Sequence, residues 1–196
     1  MRLNWRWTTL FAIAIFMVSA VVMVLTRPLL PIDETRYLTV SWEMWNDGSW
    51  SVPHLNGEVY SHKPPMLFWI INLFWTVTGV SEFAGRMVGP EFGALSVALT
   101  AGLARALWPG DPARAGRAAL ILATTTLYLL YGTSTMFDTM LAAATLAGLW
   151  ATWSLSMAPR RGAAVALGAA LAFCVLAKGP VILVHVMPAT LLLPLW

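Results

Sequence analysis

The chain has 196 residues, of which 59% are hydrophobic and only 11% are charged, and its mean hydropathy is +0.71. Soluble domains are about half apolar and about a quarter charged, so this composition excludes a disordered chain and argues against a soluble globular domain. The net charge of +3 comes from few, scattered basic residues, which does not indicate a nucleic-acid-binding protein, and the single cysteine, Cys174, excludes an intramolecular disulfide framework.

Charge-free apolar windows predict membrane-spanning helices, because a bilayer core about 30 Å thick needs about 20 apolar residues per helix. The first window follows Arg2 and Arg6 and ends without a small-residue cleavage pattern. We therefore interpret it as an uncleaved anchor whose N-terminus is cytoplasmic. The predicted spans are 7–26, 87–107, 117–136, 139–158, 162–177 and 180–196.

One further apolar window, 64–81, is predicted to lie along the outer membrane surface or to re-enter it. If it does not cross, seven arginines and a single acid face the cytoplasm, whereas five basic and eight acidic residues face outward. Cytoplasmic loops carry an excess of Lys and Arg, so this arrangement is favoured. The sequence therefore predicts an all-α polytopic membrane protein with about six transmembrane helices and a long first external loop, 27–86.

Within that loop, residues 34–46 predict an amphipathic helix that lies in the membrane interface. At 3.6 residues per turn, Leu38, Trp42 and Trp45 share one face. Arg36 lies on the opposite face, which points to solvent in this interpretation. The loop is thus expected to hold interfacial helices rather than a separate soluble domain.

The predicted outer surface collects most residues that could carry chemistry. They are Asp33, Glu34, His54, Glu58, His62, Lys63, Arg86, Asp138 and Lys178. Each has a simpler structural alternative: Asp33 and Asp138 could cap helices. Lys178 could extend its ammonium group to the interface, and His62 could belong to a solvated turn. His185, inside the last predicted span, is expected to bond a neighbouring helix, although ionisable groups at membrane depth are functional candidates by default.

Five ordered segments resemble one family. The first-loop segments 31–37, 48–57 and 60–65 contain an Asp-Glu-x-Arg-Tyr motif and a Lys-Pro-Pro motif. This pattern is similar to the first external loop of the polyprenyl-phosphate-sugar glycosyltransferases of the GT-C class. That family includes the lipid A aminoarabinose transferases and the protein O-mannosyltransferases. Segment 136–141 resembles its second acidic motif, and segment 177–180 resembles its Thr-Lys-Gly turn.

The resemblance implies a glycosyltransferase of the bacterial inner membrane. Its donor would be a polyprenyl-phosphate-linked sugar, its acceptor a lipid, glycan or protein, and its site would face the exterior. Family members are usually longer, so the chain is expected to correspond to the N-terminal part of such an enzyme. Two other functions stay open: a transporter or flippase subunit, and a non-catalytic membrane partner. Charges that avoid the span centres disfavour a transport path.

The resemblance also implies roles for individual residues. Asp33 and Asp138 match the family's two acidic positions and, with Glu34, are the predicted catalytic residues. Lys63 and Lys178 match lysines that contact the lipid-linked phosphate. The predicted phosphate-binding residues are therefore Lys63, Lys178 and Arg86.

His62 stands where the aminoarabinose transferases have a metal-binding glutamate. A divalent metal therefore stays open as a cofactor, with His62 as the candidate ligand. The residue types fit the chemistry of sugar transfer, because the leaving phosphate develops charge that cations stabilise, and an attacking acceptor hydroxyl needs a carboxylate base.

Overall fold

The computed structural model describes residues 4–195, and nearly all of its regular structure is helical. The helices are α1 (Trp5–Thr26), α2 (Asp33–Asp47), α3 (Met66–Thr78), α4 (Glu82–Leu107), α5 (Ala113–Thr124), α6 (Thr126–Gly132), α7 (Phe137–Met157), α8 (Arg161–Lys178) and α9 (Val181–Leu191). A short 3-10 helix, Leu193–Leu195, follows α9. The two-residue strands β1 (His54–Leu55) and β2 (Glu58–Val59) form an antiparallel hairpin. The predicted all-α fold class is confirmed.

Four of the described helices are long and apolar enough to cross a membrane: α1, α4, α7 and α8. In contrast, α3 has 13 residues and α9 has 11. At a rise of 1.5 Å per residue, α3 is about 20 Å long, which is shorter than the apolar core of a bilayer. The length of α3 is therefore compatible with the predicted surface position of window 64–81.

The predicted span 117–136 is carried by two helices that meet at Thr125. This residue has an extended backbone (φ −67°, ψ 123°), and its hydroxyl donates to the carbonyl of Ile121 at 2.6 Å. Three consecutive threonines occupy positions 124–126. Threonine hydroxyls compete with the helical backbone for carbonyl groups, which explains a break at this point in an otherwise apolar segment.

Small residues allow the long helices to pack closely. A Cβ at Gly93 would lie 2.5 Å from the ring of Phe16, and one at Gly102 would lie 2.4 Å from the ring of Trp150. These contacts join α4 to α1 and to α7. Close packing over small residues is typical of membrane helices, where the hydrophobic effect does not drive association.

The chain alternates in direction, so helix ends gather in two places. We call the end that contains the last turns of α1 and α8 and the first turns of α4 and α7 the site end. There, the Arg86 guanidinium donates to the carbonyl of Arg27 at 2.9 Å. The opposite end, here the arginine end, carries Arg105, Arg114, Arg117, Arg160 and Arg161.

Helices α2 and α3 cover the site end with an apolar cluster. Leu38 of α2 and Phe68 of α3 are buried there, together with Phe137 at the start of α7. The helix predicted over 34–46 is confirmed as α2. Of its predicted apolar face, Leu38 is buried in the cluster and Trp45 packs against it, whereas Trp42 is 53% exposed; the predicted position of this face in the membrane interface stays a prediction.

The membrane orientation stays a prediction that reporter fusions can test. We expect fusions at 108–116 and 160–161 to report a cytoplasmic position, and fusions at 47–63 and after Lys178 to report an external one. The physical reason is the excess of arginine at the arginine end. An external signal at position 110 would contradict the six-span arrangement.

Candidate active site

Asp33 begins α2 directly after a strained residue. Ile32 has φ 74° and ψ −58°, a conformation that β-branched residues rarely adopt. It occupies the N-cap position of α2, and no side chain caps that helix. The Asp33 carboxylate instead accepts a hydrogen bond from the Tyr37 hydroxyl at 3.0 Å. The alternative that Asp33 is the N-cap of α2 is therefore wrong.

Tyr37 connects Asp33 to the start of α7. Burial, followed by the neighbouring Asp33 charge, raises the pKa of the Tyr37 phenol. The phenol therefore stays protonated at neutral pH and keeps donating to the carboxylate. Its ring packs edge-on against Phe137, with ring centroids 4.9 Å apart. Each such aromatic contact contributes about 1 kcal/mol beyond the buried area.

Phe137 is the structural centre of the site. Its ring is 1% exposed and also meets Phe68 edge-on at 5.6 Å. The Lys63 ammonium lies 5.8 Å from the centroid of the same ring, within the range of a cation–π interaction. The lysine of the first loop is therefore placed beside the residue that precedes Asp138.

Asp138 lies in the first turn of α7 and pairs with Lys178 at the end of α8. The Lys178 ammonium donates to Asp138 Oδ1. The Asp138 side chain is 62% exposed and the Lys178 side chain 22% exposed. The carboxylate side of this ion pair is open to solvent, and such exposed pairs contribute little to stability. The two predicted lysines thus contact adjacent residues: Lys63 contacts Phe137, and Lys178 contacts Asp138.

Two of the predicted site residues lie inside the protein instead. Glu34 is fully buried, and its carboxylate accepts hydrogen bonds from Arg27 at 2.7 Å and from the Thr135 amide at 2.8 Å. Arg86 is 3% exposed, and it donates to Glu82 and to the Arg27 carbonyl. The geometry does not support the predicted catalytic role of Glu34 or the predicted phosphate contact of Arg86, because internal partners occupy both groups.

Glu34 stays ionised despite its burial. Burial alone would raise the pKa of this carboxyl, but the hydrogen bond from Arg27 and those from the Leu30 and Thr135 amides outweigh it. The net effect is a pKa below the usual value. Glu34 is therefore a fixed negative charge at neutral pH rather than a group that exchanges a proton.

A cavity of about 300 Å³ lies between α2 and the hairpin. It is lined by Arg36, Leu55, Glu58, Val59, Tyr60 and His62. Tyr60 is 5% exposed, and its hydroxyl interacts with the Arg36 guanidinium across this cavity. Sequence reasoning missed Tyr37 and Tyr60, although both lie within the matched segments 31–37 and 60–65.

His62 does not fit a metal centre in this structure. Its ring packs 5.3 Å from that of Tyr60. Between residues 4 and 195, no three His, Cys, Asp or Glu side chains are grouped so that they could hold a metal ion. The described residues therefore offer no complete set of protein ligands of the kind that zinc and other transition metals need.

His185 bonds within its own helix rather than to a neighbouring one. Its Nδ1 lies 2.9 Å from the carbonyl oxygen of Val181, one turn earlier in α9. The predicted bond to another helix is therefore wrong. His185 lines a cavity of about 360 Å³ that also reaches Asp138 and Thr145.

Comparison with known proteins gives a consistent result. Residues 62–195 match the family model described as dolichyl-phosphate-mannose-protein mannosyltransferase. An undecaprenyl phosphate-alpha-4-amino-4-deoxy-L-arabinose arabinosyl transferase of Sodalis glossinidius is 39% identical over 133 residues, or 65% of this chain and 23% of the relative. An undecaprenyl phosphate-alpha-4-amino-4-deoxy-L-arabinose arabinosyl transferase 1 of Pseudomonas fluorescens is 32% identical over 166 residues, or 83% of this chain and 30% of the relative. The chain therefore spans about a quarter of the length of these relatives.

Two solved structures share the fold over 95% of this chain and 41% of their own length. They are ArnT from Cupriavidus metallidurans in the apo state, with a TM-score of 0.76 and 22% identity, and the same protein bound to undecaprenyl phosphate, with a TM-score of 0.77 and 24% identity. With the four long apolar helices, these matches identify a multi-pass membrane protein.

Proposed function

The chain belongs to the dolichyl-phosphate-mannose-protein mannosyltransferase family, and from this membership we propose that it carries the site for sugar transfer from a polyprenyl-phosphate donor. The acceptor is a lipid, glycan or protein, and the reaction takes place at the outer face of the bacterial inner membrane. The undecaprenyl-phosphate sugar named for its curated relatives supports this donor class.

One observation carries the proposal. Lys63 contacts the Phe137 ring, and Lys178 pairs with the next residue, Asp138. Tyr37 donates a hydrogen bond to Asp33 and packs against the same Phe137 ring. Two cations and two carboxylates are thus assembled at the site end from parts of the chain far apart in sequence. This combination suits transfer from a lipid phosphate, because cations stabilise the charge that develops on the leaving phosphate and a carboxylate can accept the proton of the attacking hydroxyl.

The proposed reaction is a displacement at the anomeric carbon of the sugar. The acceptor oxygen forms a bond to that carbon while the bond from the carbon to the phosphate oxygen breaks. Lys63 and Lys178 stabilise the charge that develops on the leaving polyprenyl phosphate. Asp33 accepts the acceptor proton as general base, and Asp138 holds the Lys178 ammonium beside the phosphate.

The reaction can be tested with the native protein in proteoliposomes. Undecaprenyl phosphate-linked aminoarabinose and a panel of undecaprenyl phosphate-linked hexoses serve as donors, and membrane extracts supply acceptors. We expect consumption of one donor with equimolar release of undecaprenyl phosphate. Binding of all donors without any release would contradict the proposed transfer.

A further inference from the structure

A buried ionic cluster lies beneath the candidate site, and its centre is Glu34. We infer that Glu34 is a positioning residue that fixes Asp33 relative to Asp138 by joining the start of α2 to the segment 133–136 that leads into α7. This inference rests on the proposed function for its kinetic consequence. It assigns Glu34 a role distinct from contact with the substrate.

The hydrogen bonds of Glu34 reach two separate parts of the chain. Its Oε2 accepts from Arg27 at 2.7 Å and from the Leu30 amide at 2.8 Å, both in the connection that follows α1. Its Oε1 accepts from the Thr135 amide at 2.8 Å, across 101 positions of sequence. Asp33 directly precedes Glu34, and Asp138 lies three residues after Thr135. The Glu34 carboxylate therefore holds the two segments that carry Asp33 and Asp138 next to each other.

Arg86 of α4 also belongs to the cluster. Its guanidinium lies 4.0 Å from Glu34 and donates to the Arg27 carbonyl at 2.9 Å. The carbonyl of Arg86 accepts from the Thr135 hydroxyl at 2.9 Å. The segment 133–136 is therefore bonded to Glu34 and to α4 at the same residue.

Gly89 provides the space in which segment 133–136 reaches Glu34. A Cβ at this position would lie 2.2 Å from the Ser134 carbonyl oxygen and 2.7 Å from the Thr135 Cα. Both are backbone atoms, which cannot move aside as a flexible side chain can. The position of the segment thus depends on a steric feature of α4 as well as on the charge of Glu34.

As long as Arg27 keeps its charge, the cluster requires a carboxylate rather than an amide at position 34. All the groups bonded to Glu34 are donors: the Arg27 guanidinium and the amides of Leu30 and Thr135. A glutamine would turn its own donor group toward one of them and would leave the Arg27 guanidinium, which is 17% exposed, without its anionic partner. A buried charge without its partner is strongly unfavourable, whereas removal of both members is often neutral.

The first test is a set of three variants of the native protein: Glu34→Gln, Arg27→Gln and the two combined. Displacement of catalytic groups by about 1 Å can cost about 10²-fold in rate. We expect each single variant to lower kcat by about 10²-fold with little change in the KM for the donor. The combined variant is expected to recover to within about tenfold of the wild type, because no unpaired charge remains. If it stays as inactive as Glu34→Gln while folded, Glu34 acts on the substrate and the inference is overturned.

The second test removes no polar group. We expect Gly89→Ala to push segment 133–136 away from α4 and to reproduce the fall in kcat seen with Glu34→Gln. Gly168→Ala in α8 is the matched control, because a Cβ there meets no atom within 4 Å. Normal turnover by Gly89→Ala would contradict the positioning role.

A readout independent of activity separates this inference from the proposed function. Amide hydrogen exchange of a peptide covering 133–136 is expected to be faster in Glu34→Gln and Gly89→Ala, and to return toward the wild-type rate in the combined variant. If the wild type transfers no sugar but these exchange rates follow the expected order, the proposed function fails and the structural coupling stands. Unchanged exchange in Glu34→Gln would overturn the inference whatever the activity.

Discussion

Replacement of Asp33 by asparagine should remove nearly all sugar transfer while the protein still inserts and folds. The amide can still accept the hydrogen bond from Tyr37 that the carboxylate accepts at 3.0 Å. It cannot accept a proton from the acceptor, and general-base catalysis contributes about 10²–10⁴-fold to rate. We therefore expect kcat to fall by at least about 10²-fold, measured as release of undecaprenyl phosphate from the donor.

The folded state is checked in the same variant by thermal unfolding. Since no side chain caps α2, loss of the Asp33 charge removes only its favourable interaction with the first turn of the helix. This is worth about 0.3–1 kcal/mol at an exposed helix end, so the unfolding temperature should change little. Near-normal turnover would leave Asp138 as the remaining candidate base.

Removal of either lysine should weaken the binding of undecaprenyl phosphate. A hydrogen bond to a charged group contributes about 1.5–3 kcal/mol, which corresponds to about 10–100-fold in affinity. We expect this loss for Lys63→Ala and for Lys178→Ala, measured as the Kd of undecaprenyl phosphate in lipid nanodiscs. Lys63→Arg should retain part of the affinity, because it keeps the charge but changes the donor geometry.

Arg114→Ala is the matched control for these variants. Arg114 forms an exposed ion pair with Asp111 at 3.1 Å, at the arginine end of the bundle. Its removal changes the net charge by the same amount as removal of a lysine but should leave the Kd unchanged. Equal losses of affinity in all three alanine variants would indicate a general effect of charge and not a phosphate site.

The sequence predicted those features that depend on local patterns. Apolar periodicity placed α2 correctly, and the matched segments identified Asp33, Lys63, Asp138 and Lys178 as residues of one surface. The structure brings these four residues together around the Phe137 ring and the Asp138–Lys178 ion pair. Charge-free windows located the long helices, because length and hydropathy are properties of a single segment.

The roles of Glu34 and Arg86 could not be read from their neighbours in sequence. Charged side chains are almost never fully buried unless they are paired, and so both looked like surface residues. One of the partners that allow Glu34 to be buried, the Thr135 amide, lies 101 positions away in the sequence. The break at Thr125 was missed for a different reason, because threonine is apolar enough to continue a hydropathy window while its hydroxyl bonds the backbone.

Photoaffinity labelling of the native protein tests the central claim most directly. The probe is an analogue of undecaprenyl phosphate with a diazirine close to the phosphate. If the site is assembled as described, labelled peptides should come from 60–66, 136–140 and 176–180, and excess undecaprenyl phosphate should prevent the labelling. Labelling concentrated at 105–117 or 158–162, at the arginine end, would contradict the account.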